Sequence, residues 1–244
     1  LVSRIGRSPW GWGGGTIQIT ASGGVARGGD HNWADADAAL YLAKQGGKNQ
    51  VVAYDATDPR LGARADTQLL AILTRDGLAD GRFTLFGQPI VETTDVSDTP
   101  AYVEALLRYV DDDGTFRAPV PFLEAAEQYG LTERIDRWVI DHVVEWLATN
   151  EDAPPMSLNV HPQTIVSGEI VPHLGRAMDR WGLGRDRLLI EITEAAAIGD
   201  EARYRDVVET VRGWGVRVAL DDFGSGWTSL AVARTTPVDV LKID

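Results

Sequence analysis

Four apolar runs in the second half of the chain each finish on or near a side chain that can hold a cation or handle a proton. Met156-Ser157-Leu158 runs into Asn159, Leu188-Leu189-Ile190 into Glu191, and Val218-Ala219-Leu220 into the pair Asp221-Asp222. Lys242 sits near the end of a fourth run, residues 238–243. If these ends meet at one place, the three acidic side chains repel one another unless cations lie between them. Carboxylates and an Asn are hard oxygen donors, which suits Mg²⁺ or Mn²⁺ and not zinc. An adjacent Asp pair can serve two metals, with Asp221 bridging, and a lysine beside them acts on charge or on water rather than as a ligand. A single polar residue at a strand end is also what an ordinary loop supplies. Four ends in register argue against accident, although spacing alone names no reaction.

The elements that would bring these residues together form a regular rhythm from Phe83 onward. Strands are expected at Phe83–Val91, Val103–Tyr109, Met156–Val160, Leu188–Ile192, Val216–Leu220 and Val238–Ile243. Helices are expected between most of them, at Phe122–Tyr129, Glu133–Ala148, Glu169–Trp181 and Glu201–Trp214. This alternation predicts an α/β fold of βα units on a parallel sheet. Six strands in this rhythm fit an incomplete (β/α) barrel, whose C-terminal strand ends share one mouth where sites are built. No G-x-G-x-x-G follows a strand, which argues against a dinucleotide-binding sheet.

Upstream, residues 10–15 (Trp-Gly-Trp-Gly-Gly-Gly) are too glycine-rich for the interior of a helix or strand. A β-like run is expected at Thr16–Ala21, a short helix at Asp35–Lys44 and a second strand at Gln50–Tyr54. Asp55–Arg64, with Asp58-Pro59, is the expected linker, and a helix at Asp66–Thr74 leads into the second unit.

Composition narrows the class. The 244 residues carry 23 Lys+Arg against 36 Asp+Glu, a net charge of −13, with 44% hydrophobic residues and no Cys. A chain of this kind buries a core. It has no disulfide framework, thiolate zinc site or Cys nucleophile. No apolar run approaches the roughly 18 residues of a membrane span, and no signal-peptide pattern opens the chain. The acidity speaks against binding DNA or RNA. The expectation is a cytoplasmic protein, with any membrane anchor of a longer parent lying upstream. Residues 1–60 hold six basic and five acidic side chains, against 17 and 31 in residues 61–244. That asymmetry predicts two joined units, and the start at Leu1 rather than Met predicts a cut-down piece.

Taken in order, the motifs resemble those of EAL domains, phosphodiesterases that hydrolyse the bacterial second messenger cyclic di-GMP. Residues 103–108 (Val-Glu-Ala-Leu-Leu-Arg) resemble the signature, Gln88-Pro89-Ile90-Val91 the opening strand, and residues 121–127 (Pro-Phe-Leu-Glu-Ala-Ala-Glu) the first long helix. Glu191-Ile192-Thr193-Glu194, residues 221–226 (Asp-Asp-Phe-Gly-Ser-Gly) and Lys242-Ile243-Asp244 follow. The resemblance implies an incomplete TIM-like (β/α)8 barrel over residues 66–244 with a two-metal Mg²⁺ or Mn²⁺ site. It places metal ligands on Glu104, Asn159, Glu191 and Asp221, with Asp222 on the second metal. It makes Lys242 the group that orients the attacking water and Glu194 the anchor of the loop after Asp222. Gln88 and Arg108 match substrate contacts. Cyclic di-GMP is the implied partner, hydrolysed to linear pGpG, and such domains work as dimers.

Residues 1–55 resemble the C-terminal part of a GGDEF domain, an α/β diguanylate cyclase fold, with residues 56–65 as linker. Lys44 and Lys48 fall where that family contacts nucleotide phosphates. The Gly28-Gly29-Asp30 triplet lies after the strand that follows the true signature and reads as a loop, so no cyclase activity is expected. Asp111-Asp112-Asp113-Gly114 lacks calcium-loop spacing and reads as a polar turn, and Ser229 has no nucleophile-elbow context. The sequence departs from the EAL pattern at Gly87, where Tyr is usual, and at Val160-His161, where Leu-Ser is usual. Phe83 to Asp244 is 162 residues, against roughly 250 for a complete barrel; the remaining strands, with a catalytic Glu and a Gln, are expected after Lys242. The rival expectations are a non-catalytic cyclic di-GMP receptor and a fragment left inactive by an open barrel.

Overall fold

A computed structural model of the chain describes residues 5, 10–12, 15–17, 19–27, 32–93, 99–193, 200–224 and 236–243. The chain divides into two units, Leu1–Leu69 and Leu70–Asp244.

In the first unit, β1 (Trp10–Trp12) and β2 (Gly15–Ile17) form a three-pair antiparallel ladder. The glycine-rich segment was expected to form no strand, but so short a ladder needs only backbone groups. Strand β3 (Gly23–Val25), helix α1 (Asn32–Gln45) and parallel strand β4 (Val51–Ala53) make one βαβ unit. Ala39, Leu42 and Ala43 bury its small core. A Cβ on Gly24 would lie 2.0 Å from the Ala36 carbonyl oxygen, so only glycine lets α1 approach β3 this closely.

Helix α2 (Pro59–Ala79) starts inside the expected linker. Asp58 accepts the Arg60 backbone N–H at 2.9 Å and Pro59 supplies the first helical residue. The Asp-Pro dipeptide that reads as a turn is here a helix start.

The second unit is a seven-stranded sheet. Its main path runs β5 (Phe83–Ile90), β6 (Tyr102–Val110), β8 (Met156–Val160), β9 (Leu188–Thr193), β10 (Arg217–Phe223), β11 (Val240–Ile243), with β7 (Phe116–Arg117) beside β6. From β6 to β11 along this path the neighbours are parallel, as expected. Strand β5 instead pairs antiparallel with β6 over eight residues, and β7 forms a hairpin on β6, so the sheet is mixed. Among the described residues β5 and β11 are its open edges. The Asp111–Gly114 segment is the polar turn of the β6–β7 hairpin: the Gly114 N–H donates to the Asp111 carbonyl at 3.0 Å, and Arg117 and Arg82 pair with Asp111 and Asp112.

Helices α3 (Val120–Tyr129), α4 (Thr132–Thr149), α5 (Pro162–Ser167), α6 (Ile170–Trp181) and α7 (Glu201–Gly213) complete this unit. In α4 the buried positions Ile135, Val139, Ile140, Val143, Val144 and Leu147 form one stripe at helical spacing. That stripe meets the alternate residues of the strands, including Ala105, Leu107, Leu158, Ile190 and Val218, in one large core. Among the described residues, the apolar cluster buried on the other sheet face is small: Tyr102, Leu189 and Ala219, flanked by Ile90 and Val240. Because side chains alternate between faces, Glu104, Asn159, Glu191, Asp221 and Lys242 fall on this second face. No described helix is long and apolar enough to cross a membrane.

The carboxylate just before edge strand β11 adds to the ladder that holds this strand on β10. Asp239 accepts the Val218 N–H at 2.9 Å and a two-point contact from Arg212 of α7 at 2.6 and 2.9 Å. These contacts hold the Asp239 carboxyl below its ordinary range, Arg212 contributing most. Asp239→Ala should therefore cost about 2 kcal/mol and speed amide exchange at Leu241 and Ile243. Unchanged denaturant unfolding and unchanged exchange would show that β11 is held by other means.

Candidate functional site

The site is assembled by register. Gln88 faces Glu104, Glu104 faces Ser157, Asn159 faces Glu191, Glu191 faces Ala219, and Asp221 faces Thr193. Between Leu220 and Phe223 the pairing of β10 with β11 slips, and Asp222 adopts φ = 56°. An extra residue in left-handed backbone is a bulge, which re-aims side chains where a ladder would keep them regular. Glu104 is not at a strand end: it is the third residue of β6. The stagger of neighbouring strands brings it level with residues near the ends of β8 and β9.

At the centre stands Lys242. Its Nζ lies 3.1 Å from Glu104 Oε2, 3.3 Å from Asp221 Oδ1, and in close contact with Glu191 Oε2. The Asn159 amide donates to Glu104 Oε1 at 2.9 Å. Glu191 is fully buried, and among the described residues its second oxygen, Oε1, has no cationic partner, the Ser157 hydroxyl giving it only neutral support. Burial pushes the Glu191 carboxyl up, partly offset by Lys242. For Lys242 burial works downward, but the hydrogen bond and charge of Glu191, then Glu104, outweigh it, so its ammonium stays charged. One cation thus serves three carboxylates, and its closest contact, to Glu191, only partly offsets the burial of that group. Burial, then the Glu191 charge, raises the Tyr102 phenol beneath them.

Five expected residues, Glu104, Asn159, Glu191, Asp221 and Lys242, thus meet. Asp222 is adjacent and exposed, turned by the bulge. Gln88 is paired with Glu104 on β5. Arg108 lies one strand turn further along β6, its guanidinium 5.4 Å over the Phe86 ring and donating to the Leu107 carbonyl. Glu194 lies outside the described residues, as do the loop at 225–235 and Asp244. Lys44 ends α1, and Lys48 follows with φ = 59°, both exposed in the first unit. His161 is not aimed at the cluster: it caps α5, its Nδ1 accepting the Gln163 N–H at 3.2 Å. At Gly87 a Cβ would come 2.8 Å from Val103 Cγ1, so a Tyr there would need Val103 to move. Sequence reasoning missed Tyr102 and Ser157, although each sits two residues before a named site residue and so shares its face.

Among the described residues no three Asp, Glu or His groups converge as a ready cation cage, the Lys242 ammonium standing between the carboxylates instead. The donors nonetheless fit a hard divalent cation. They are oxygen-bearing throughout, and the orphaned Glu191 Oε1 is a buried acceptor lacking a positive partner.

The mixed sheet with a carboxylate-rich strand face defines an α/β, TIM-barrel-like scaffold. The chain belongs to the EAL domain family, whose model matches residues 73–244. It is 31% identical over 213 residues to the cyclic di-GMP phosphodiesterase PdeB of Shewanella oneidensis, covering 86% of this chain and 25% of that one. The chain thus spans about a quarter of the length of that curated relative. Its fold is similar to the FimX EAL domain of Pseudomonas aeruginosa bound to c-di-GMP: TM-score 0.66, 25% identity, 72% of this chain and 71% of that one. It also resembles the S helix-GGDEF-EAL structure of Vibrio cholerae LapD, with TM-score 0.66, 21% identity, 86% of this chain and 50% of that one.

Lys242→Met should destabilise the metal-free protein by about 3 kcal/mol near pH 7, because it strands a buried carboxylate. Since the folded-state carboxyl of Glu191 is raised, ionising it opposes folding as pH rises. The variant should regain stability as pH falls through that raised value. Melting curves from pH 7.5 to 5 that run parallel for both proteins would contradict this.

Proposed function

We propose that this chain hydrolyses cyclic di-GMP to linear pGpG in a divalent-metal-dependent reaction. The observation that carries the reading is the meeting of Glu104, Asn159, Glu191 and Asp221 around Lys242 on one face of an EAL-family sheet. Membership of that family and the likeness to a named cyclic di-GMP phosphodiesterase support the substrate.

Glu104, Asn159, Glu191 and Asp221 would hold the cations, Mg²⁺ or Mn²⁺, with Asp222 serving a second one. When bound, the metals would activate water and offset charge developing on the phosphoryl oxygens. The residues themselves provide the rest. Asn159 orients Glu104, the bulge at Asp221-Asp222 presents two carboxylates from one strand, and Lys242 supplies a fixed positive charge that can orient water. Gln88, opposite Glu104, and Arg108, four residues beyond it, are placed to contact substrate on the same face. Glu194 is assigned the loop-anchoring role by resemblance alone.

Residues 1–55 are read as the C-terminal part of a GGDEF domain, with Lys44 and Lys48 as vestigial phosphate contacts and 56–65 as the junction. Their βαβ arrangement and the fold likeness that extends over a GGDEF-EAL chain support this. A cytoplasmic, dimeric parent fits a cysteine-free nucleotide-signalling chain.

One observation favours a second reading, a cyclic di-GMP receptor without turnover: the lysine occupies the centre where a catalytic cation would be wanted. Hydrolysis assays with Mn²⁺ separate the two. The enzyme reading expects turnover that chelation abolishes and that Glu104→Ala lowers at least about 100-fold with the sheet intact by circular dichroism. Tight cyclic di-GMP binding with no turnover would establish the receptor instead.

A further inference from the structure

Asp136 is the one acidic residue in the buried stripe of α4. It is only 6% exposed, and burial pushes its carboxyl up to about 7, against the pull of its hydrogen-bond partners. Keeping a carboxyl there is costly, and its contacts show what it holds. Oδ2 accepts the backbone N–H of His161 at 3.1 Å. His161 is where the chain leaves β8 and turns into α5, two residues after Asn159.

Packing around that turn is incomplete. A cavity of about 310 Å³ lies against it, lined in part by Leu106, Asp136, Asn159, His161 and Thr193. On the strand side, Val160 is buried and paired with Ile192, which fixes the body of β8. Beyond Val160 the Asp136–His161 contact links the turn to the rigid helix α4.

We propose that Asp136 is a positioning residue for Asn159, holding the end of β8 so that the Asn159 amide meets Glu104. This rests on the reading of Asn159 as a metal ligand. Asp136 touches neither the cluster nor substrate; it acts through the His161 backbone. Groups that hydrogen-bond a metal ligand directly are worth roughly 10–100-fold in metal affinity, and Asp136, one step further out, should fall at the low end of that range.

The test uses the full chain and four variants. Asp136→Asn keeps an acceptor for the His161 N–H, and Asp136→Leu removes it at similar volume. His161→Pro removes the donor instead, at a backbone φ of −67° that proline adopts, and His161→Ala, which loses only the Nδ1 cap on Gln163, is its control. The first measurement is the Asn159 side-chain NH₂ resonance. It should be unchanged in Asp136→Asn and His161→Ala and displaced in Asp136→Leu and His161→Pro. The second is calorimetric titration with Mn²⁺ alone, where Asp136→Leu should bind at least about 10-fold more weakly and Asp136→Asn like the parent. If Asp136→Leu does not fold, His161→Pro carries the comparison. An unmoved Asn159 resonance in folded Asp136→Leu or His161→Pro overturns the proposal, as does an Asp136→Asn variant as damaged as the leucine one. If the parent binds no Mn²⁺, the metal reading fails, while the Asn159 resonance still decides the positioning claim.

Discussion

A carboxylate removed entirely from water must be given positive charge or it works against the fold, by several kcal/mol for an isolated ion. Glu191 is in that position, and much of the strand-face architecture can be understood from it. One of its oxygens meets Lys242 from β11, and the other has no cationic partner among the described residues. The same ammonium also faces Glu104 and Asp221, so one cation is shared among three carboxylates from three other strands. Such sharing stabilises the set without satisfying it. A group of acceptors left short of positive charge is primed for a cation, which is how an acidic chain could take an anionic dinucleotide: bound metal reverses the local field.

Two structural devices make this sharing possible. Period-two alternation puts apolar side chains of β6, β8, β9 and β10 against the helices and leaves the polar ones on the opposite face. The left-handed Asp222 and the slipped register of β10 then interrupt that alternation at the place where Lys242 arrives. The Arg212–Asp239 pair fastens β11 from behind. Rigidity thus comes from the helix-covered face, and chemistry from the opposite one.

Much of this was legible in the sequence. The apolar runs located β8 and β9 almost to the residue, and Asn159 and Glu191, in the later part of each, named two members of the cluster. What escaped was whatever depends on partners. The antiparallel direction of β5 leaves no trace in its own apolar pattern, because direction is set by pairing with β6. Glu104 was found by motif and not by position, since strand stagger, not strand end, places it. Asp58-Pro59 was read as a linker because the same dipeptide begins turns and helices alike. Asp136 was invisible because a single acidic residue on a helix reads as solvent-facing, and only the packing of α4 against the β8–α5 turn shows otherwise. The central position of Lys242 was equally hidden, for it requires five strands in register.

The most direct test of the account is anomalous diffraction from crystals of this chain soaked in Mn²⁺. The account predicts manganese density within coordination distance of Glu104, Asn159, Glu191 and Asp221, with the Lys242 ammonium displaced from their centre. Manganese absent from that cluster, with Lys242 still bridging the three carboxylates at saturating metal, would contradict it.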